Sequence, residues 1–323
     1  MLIMPPLPLL KFVARRPGAR LSRIRSEASQ RSFFRICRNK ESLVAMTYPE
    51  PSPAEVERFL RVQGIYRAHG LRVPRVKNIL GDQVVMQEDA GDLLVQRAWR
   101  DAHGNERRRL LGQCREILAR LAAVPAGLAT ARLDEARQNW EMDFFLSHFF
   151  PRFSVRSTSE DGLRAQLQRL IKAIDPGDTF AHRDFHSRNL LVRGGEIIMV
   201  DFQDSLVAPR YYDLVSLAFD SYLDLGAARA GLFPNLAASG DDRELRQVRL
   251  TALQRNVKAL GTFAHQTHVR RHPAYARYIP RTIRHILGHL QALADPEFDL
   301  LVNYFNSVLN ETNPKSQAPN SNL

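Results

Sequence analysis

Phe180-Ala-His182-Arg-Asp184-Phe-His186-Ser-Arg188-Asn189-Leu-Leu-Val192, followed by Ile197-Ile-Met-Val-Asp201-Phe-Gln-Asp204, is the stretch on which the reading of this chain turns. Two short apolar runs, 189–192 and 196–200, are joined by Gly194-Gly195, and two glycines between β-type runs signal a hairpin. His182-x-Asp184 falls on the loop before that hairpin. Asn189 follows Asp184 by five residues, and Asp201 ends the second strand.

This set of residue types meets the needs of phosphoryl transfer. The transition state is loose and highly charged, so catalysis is positioning plus electrostatics. One carboxylate must orient the acceptor hydroxyl and take its proton, and Asp184 has that position. A second carboxylate and an amide oxygen must hold Mg²⁺ against nucleotide phosphates, and Asp201 and Asn189 have those positions. Mg²⁺ uses one or two carboxylates plus phosphate oxygens and water, so a thin ligand set is normal for it. The bland reading makes Asp184 and Asn189 turn caps and His182 a satisfied core histidine. The joint pattern of motif, spacing and strand context disfavours it.

Working towards the amino terminus, 32–37 and 42–46 read as paired strands with Asn39-Lys40 between them. Residues 53–69 read as a helix, with Pro53 at its start and Gly70 just beyond its end. Residues 84–87 form another apolar strand, followed by Glu88, Asp89 and Gly91. Beyond Gly91 the period changes to helical over 106–124, 139–150 and 161–174, and again from Pro209 onward. The expected fold is α+β and two-lobed: a small sheet-containing N-lobe and a larger, mainly helical C-lobe. The expected boundaries are a basic arm over 1–23, an N-lobe with its hinge over 24–91, a C-lobe over 92–309 and a disordered tail over 310–323.

Composition narrows the function classes. The chain has 323 residues with 44% hydrophobic and 25% charged residues, an ordinary globular balance. Two cysteines, Cys37 and Cys114, exclude a disulfide scaffold and a cysteine-based zinc site. Both lie in apolar stretches, so buried free thiols and a reducing cytoplasm are expected. The net charge is +12, and residues 1–31 carry +6 of it. Such a surplus points to nucleic acid, an anionic membrane or an acidic substrate. The basic segment offers only Phe12 as an aromatic and no nucleic-acid module matches, so nucleic acid is disfavoured. Pro17-Gly18 interrupts a helical face over 9–21, so membrane contact by the arm is disfavoured against a basic arm packed loosely on the N-lobe.

The motif run resembles the aminoglycoside-phosphotransferase-like branch of the protein-kinase superfamily. Within it, the chain is most similar to the anomeric kinases of N-acetylmuramate and N-acetylglucosamine in cell-wall (peptidoglycan) recycling. The residues that carry this are His182–Leu190, Val200–Asp204, Pro209-Arg-Tyr-Tyr-Asp-Leu-Val-Ser-Leu217, Asp220-Ser-Tyr222 and Ala28-Ser-Gln-Arg-Ser-Phe-Phe-Arg35. The resemblance implies ATP and Mg²⁺ as cofactors, Asp184 as catalytic base and His186 near the transferred phosphoryl. It implies Asn189 and Asp201 as metal ligands, Gln87, Glu88 and Asp89 as the adenine hinge, and Ser29, Gln30, Arg31 and Ser32 over the phosphates. Asp213 is implied as structural support for the catalytic loop. One departure stands out: the strand that should offer a Lys to the phosphates holds Met46. Arg31 or Arg35 is left to meet that charge, and a non-catalytic nucleotide-binding protein gains some weight.

Charge also bears on the acceptor. Residues 208–323 hold 13 Lys+Arg and 10 Asp+Glu, so a polycationic aminoglycoside is disfavoured. A neutral or anionic small sugar fits better, with Arg188 and Arg210 as candidates for a substrate carboxylate. A choline-like alcohol remains an alternative acceptor. Trp140, Phe144, Phe145 and Phe149 stand at helical spacing and are expected to be core.

Overall fold

The computed structural model describes residues 4–24, 31–155, 158–233 and 241–312. In chain order its main elements are α1 (Leu7–Ala14), β1 (Arg20–Ile24), β2 (Ser32–Arg38), β3 (Glu41–Thr47), α2 (Pro53–Ala68), β4 (Val76–Leu80) and β5 (Val84–Glu88). Then come α3 (Val95–Asp101), α4 (Gly104–Ala122), α5 (Glu135–His148), α6 (Glu160–Ala173), β6 (Thr179–Ala181), β7 (Leu190–Arg193), β8 (Glu196–Met199) and β9 (Leu206–Ala208). The remaining helices are α7 (Tyr212–Ala218), α8 (Asp242–Ala264), α9 (Ile279–Leu293) and α10 (Asp299–Thr312). They fall into two compact units: residues 1–120 with 188–205, and residues 121–187 with 206–323.

The first unit is built on an antiparallel sheet in the order β1-β2-β3-β5-β4. In β2, Ser32, Phe34 and Ile36 are buried in alternation, the period-two signature of a strand with one covered face. Asn39 turns the chain into β3 with a φ of 55°, a left-handed conformation that Asn tolerates better than most residues. The hairpin β7–β8 belongs to this unit. The Met199 N–H donates to the Arg72 carbonyl at 2.9 Å, and Leu191 bridges Leu94. Just past β8, the Phe202 ring packs on Phe59 and Tyr66 of α2, with centroids 4.9 and 5.3 Å away. Tyr66 OH and Ser205 Oγ lie 2.8 Å apart. These contacts fix both ends of the hairpin, where Asn189 and Asp201 stand.

The amino-terminal stretch is not a loose arm. Leu9 and Phe12 of α1 are buried against Phe34, Ile36, Ala45, Val84 and Met86, and β1 pairs along β2 from Arg20↔Cys37 to Ile24↔Phe33. Pro17-Gly18 ends the helix as expected, but the turn it makes delivers a strand. Leu21 and Ile24 of β1 stand three residues apart, so the strand shows no period of two and is defined by its pairing with β2.

The second unit is mainly helical. Phe145, Phe149, Leu167, Leu253, Leu260, Ile283, Leu301 and Phe305 belong to one core drawn from α5, α6, α8, α9 and α10. At Gly261 of α8 a Cβ would stand 2.8 Å from the Phe145 Cα, so the glycine permits close approach of α5. The strand pair β6–β9 was not foreseen, because three-residue strands carry no readable period. Trp140 is a correction: it is 60% exposed, and Phe144 only half-buried, while Phe145 and Phe149 are core as expected. Cys37 is likewise half-buried rather than buried, whereas Cys114 is enclosed and burial pushes its thiol up to about 12. Helix α10 continues to Thr312, past the expected start of a tail at Asn310, and residues 313–323 lie outside the described residues.

Candidate active site

In the second unit, β6 runs directly into the loop 182–187. Two buried carboxylates hold that loop by its backbone. Asp213 at the start of α7 accepts the His182 N–H at 2.6 Å and the Arg183 N–H at 3.0 Å. Asp220 accepts the Ser187 N–H at 2.8 Å and the Tyr222 N–H at 2.7 Å. Arg183 takes a φ of 78°, a conformation costly for a non-glycine residue and held by these bonds. Burial raises both carboxyls, and His182 and the two amides only partly offset it at Asp213, which is pushed up to about 6. Asp213 thus supports the loop from beneath.

Asp184 faces two cations of α8. Its Oδ1 lies 3.3 Å from the Arg255 guanidinium and 3.5 Å from Lys258 Nζ. Lys258 also reaches Glu141 Oε1 at 3.4 Å and the Tyr212 hydroxyl at 3.4 Å. Glu141, on α5 and 1% exposed, further accepts from Arg183 at 3.3 Å and from Gln254 at 2.9 Å. Gln254 and Lys258 are four residues apart, so one face of α8 delivers both to Glu141. Burial by itself would raise Asp184. Lys258, Arg255, Arg183 and His186 outweigh it and hold the carboxyl well below the usual carboxylate range. The Asp184 side chain is 31% exposed, so a small molecule reaches it from solvent. Asp184, His186, Tyr222, Arg255, Lys258 and Thr262 line an open pocket with about 480 Å³ of empty space. In it the His186 ring meets the Tyr222 ring edge-on at 5.0 Å.

In the first unit, the hairpin holds Asn189 and Asp201 at its two ends, where the Val200 N–H donates to the Asn189 carbonyl at 2.9 Å. Asp201 has a φ of 62° and is 46% exposed. Its Oδ1 accepts the Arg31 guanidinium at 2.6 Å and the Gln203 amide at 3.1 Å. The donor chemistry suits Mg²⁺: an amide oxygen and an exposed carboxylate are hard ligands, few enough to leave room for phosphate and water. Among the described residues no group of three or more His, Cys, Asp or Glu is arranged to hold a metal without such help.

The expected hinge residues lie at the end of β5 in the same unit. Gln87 is buried in the sheet between Val44 and Val76. Glu88 is held by Arg72 at 2.6 and 3.0 Å, and this bond lowers its pKa. Asp89 takes the Arg35 guanidinium at 2.7 and 3.1 Å. The Glu88 N–H donates to the Arg75 carbonyl. The Glu88 and Asp89 side chains are therefore spent on ion pairs. Ser32 is buried in β2, its carbonyl accepting from the Thr47 hydroxyl, while Ser29 and Gln30 lie outside the described residues. Arg188 is half-buried. Arg210, in the second unit, is 70% exposed and paired with Glu244 of that unit at 2.8 Å.

The model of the phosphotransferase enzyme family matches residues 20–250, the greater part of the chain. This chain belongs to that family. It is a phosphotransferase with an alcohol group as acceptor. It is similar to the N-acetylmuramate/N-acetylglucosamine kinase of Pseudomonas aeruginosa, 27% identical over 288 residues that cover 84% of this chain and 83% of that one. The protein of the same name from Pseudomonas putida is 23% identical over 300 residues, covering 86% and 87%. In fold it is similar to an ADP-bound aminoglycoside phosphotransferase, with a TM-score of 0.58, 13% identity and coverage of 96% and 98%. The phosphotransferase thus has the protein-kinase-like fold, with a sheet in its amino-terminal part and helices dominating the carboxy-terminal part.

Sequence reading missed the two cations that face Asp184, and the Glu141 that Lys258 shares with it. Glu141, Arg255 and Lys258 sit inside helices whose period explains them as ordinary polar positions. The available signal was charge on the buried face of α8: its middle turns are buried from Leu250 to Val257, and Arg255 falls within that run. A buried arginine in a phosphotransferase helix requires a carboxylate partner.

Proposed function

We propose that this phosphotransferase is an ATP- and Mg²⁺-dependent amino-sugar kinase. It transfers the γ-phosphoryl group to the anomeric hydroxyl of N-acetylmuramate, N-acetylglucosamine or both, in the cytoplasm. The observation that carries this reading is the Asp184 carboxylate, kept ionised by Lys258 and Arg255 in a pocket open to a small molecule. The names of the two curated relatives support the amino-sugar acceptor. The ADP in the similar fold supports the nucleotide.

Asp184 accepts a hydrogen bond from the acceptor hydroxyl and aims its oxygen. Because the carboxylate is weakly basic, it receives the proton late, as the new O–P bond takes charge off the oxygen. His186 stands two residues on, near the transferred group. Asn189 and Asp201 would hold Mg²⁺, which when bound neutralises charge on the phosphate oxygens. The hinge main chain serves adenine, since the side chains of Glu88 and Asp89 are engaged by Arg72 and Arg35.

The charge around Asp184 favours a neutral or anionic sugar. Asp184 and Glu141 oppose Arg183, Arg255 and Lys258, which leaves one net positive charge beside the acceptor. A polycation is repelled there, and a lactyl carboxylate is not. Arg210 is spent on Glu244, so Arg255 and Lys258 replace it as the cations nearest a substrate carboxylate. No helix among the described residues is long and apolar enough to cross a membrane.

The test is a phosphorylation screen with N-acetylmuramate, N-acetylglucosamine, other hexoses, choline and an aminoglycoside, the phosphate position read by NMR. Phosphate on C1 of an amino sugar is the expected result. Transfer to choline or the aminoglycoside alone overturns the acceptor, and nucleotide binding without transfer to any of them makes the chain a non-catalytic binder.

A further inference from the structure

Phe219, just past α7, is buried, and four basic side chains of the second unit close on its ring. The Arg229 and Arg249 guanidinium carbons stand 4.9 and 5.8 Å from the ring centre. The His289 and His285 rings meet it edge-on at 4.3 and 5.8 Å. Arg229 comes from the helical turns Gly226–Leu232, Arg249 from α8, and both histidines from α9. Arg229 and Arg249 are half-buried, so each keeps a path to solvent.

The charge of this cluster is not balanced. Arg229 faces Asp224 at 3.8 Å, too far for a hydrogen bond, and that carboxylate is 58% exposed. Arg249 has no acidic partner among the described residues. Its neighbours one turn away in α8 are Leu245, Arg246, Ala252 and Leu253, and residues 225–240 hold no Asp or Glu. Burial lowers the pKa of both guanidiniums. At Arg229, Asp224 opposes that effect and Arg249 adds to it. The histidines bring no compensating charge. Burial and Arg229 push His285 down to about 4, and burial and Arg249 hold His289 well below the usual range. Each guanidinium carries five N–H donors, and neither makes a hydrogen bond among the described residues. The Phe219 ring attracts their charge through its face but offers no oxygen to accept from them.

We propose that Arg229 and Arg249 form an anion site, distinct from the Asp184 pocket, that binds a phosphate group as inorganic phosphate or as a phosphate monoester. Phosphate suits two guanidiniums on one ring, because its oxygens accept from both forks at once. Arg249 precedes Lys258 by nine residues of α8, about 14 Å along the helix axis, so a phosphate held here is not the one transferred at Asp184. The two places share a wall, since Phe219 and Asn256 line the Asp184 pocket. The Asn256 amide donates to the Phe219 carbonyl at 3.1 Å, and its Oδ1 lies 3.1 Å from His289 Nε2. Binding of the anion does not depend on the kinase reading.

The arginine Nε–H signals of the full-length chain, followed by ¹H–¹⁵N NMR, test it. The protein is titrated with sodium phosphate, glycerol 3-phosphate, sodium acetate and sodium chloride at equal ionic strength. The Arg229 and Arg249 signals are expected to shift saturably with inorganic phosphate, glycerol 3-phosphate or both, and the responding compound names the source. Arg249→Gln is expected to weaken that binding by roughly 10-fold or more, the worth of a charge-assisted bond. Arg243→Gln, at an 82% exposed arginine of the same helix, is expected to leave it unchanged. Phosphate that binds without moving the Arg229 and Arg249 signals occupies another place and overturns the proposal. Equal binding by wild type and Arg249→Gln overturns it as well. Saturation by acetate or chloride at lower concentration than by either phosphate overturns the phosphate class. The wild-type signals alone decide the matter if a variant fails to fold.

Discussion

Lys258 Nζ stands 3.5 Å from Asp184 Oδ1, and the same ammonium reaches Glu141 Oε1 at 3.4 Å. One cation thus lies between a half-buried carboxylate, proposed above as the catalytic base, and the buried Glu141. The pairing has a consequence for pH. A carboxylate held far below its usual range stays ionised throughout mildly acidic conditions, so protonation of Asp184 does not limit turnover there.

Lys258→Met removes the strongest of the cations that depress Asp184. The acid limb of kcat/KM is expected to move to higher pH than in the wild type, where it lies below the usual carboxylate range. Stability is expected to fall by about 3 kcal/mol, since Glu141 keeps its burial and loses a partner. A pH–rate profile and a urea titration read the two effects separately. An acid limb that does not move removes Lys258 from the control of Asp184.

Asp201→Asn tests the metal side without disturbing the backbone. Asp201 occupies the left-handed region, which Asn enters readily and Ala does not. The substitution therefore removes charge at constant shape. Mg²⁺-dependent tightening of ATP binding is expected to disappear, with adenosine affinity unchanged. Calorimetry with and without Mg²⁺ measures it, and an intact metal dependence excludes Asp201 as a ligand.

How much of this was legible beforehand follows from the kind of signal each residue carries. Asp184, Asn189 and Asp201 sit at fixed distances around a glycine hairpin, so local spacing marked them as candidates. The hairpin, the β2–β3 pair and α2 were likewise local, set by period and by Asn39, Pro53 and Gly70. Glu141 and Lys258 lie 117 residues apart in sequence and meet only through the packing of α5 on α8. No period marks that meeting. Charge counting misled at the amino terminus, where seven basic residues hid the apolar contacts of Leu9 and Phe12. It also suggested Arg210, which its own unit neutralises through Glu244.

Leu9 provides a direct test of the amino-terminal segment. It is fully buried against Phe34, Ile36, Val84 and Met86. Leu9→Ala leaves a cavity in that cluster and is expected to cost about 2–5 kcal/mol. Exposed Leu7 of the same helix serves as control, and Leu7→Ala is expected to change stability by less than about 0.5 kcal/mol. Equal thermal midpoints for the two variants would return the segment to a loosely held arm.

Asp213 yields the last prediction, through its raised pKa. The native carboxyl titrates at about 6 and the unfolded one near 3.8, so between those values the native state binds more protons. Stability from this group is fully present below pH 3.8 and is lost as pH rises through 6, at most about 3 kcal/mol over the window. Burial drives the shift, and the His182 and Arg183 amides limit it. Asp213→Asn keeps an acceptor oxygen for one amide, turns a donor toward the other, and does not titrate. The variant is expected to be less stable than the wild type at every pH. The gap is expected to be widest near pH 4 and to narrow up to pH 7, where the native carboxylate carries its burial cost. Urea denaturation of both proteins at four pH values measures the gap and cancels the titration of every other group. A gap that stays constant means that the buried loop support is ionised at all pH values tested, and that its two amide bonds outweigh its burial.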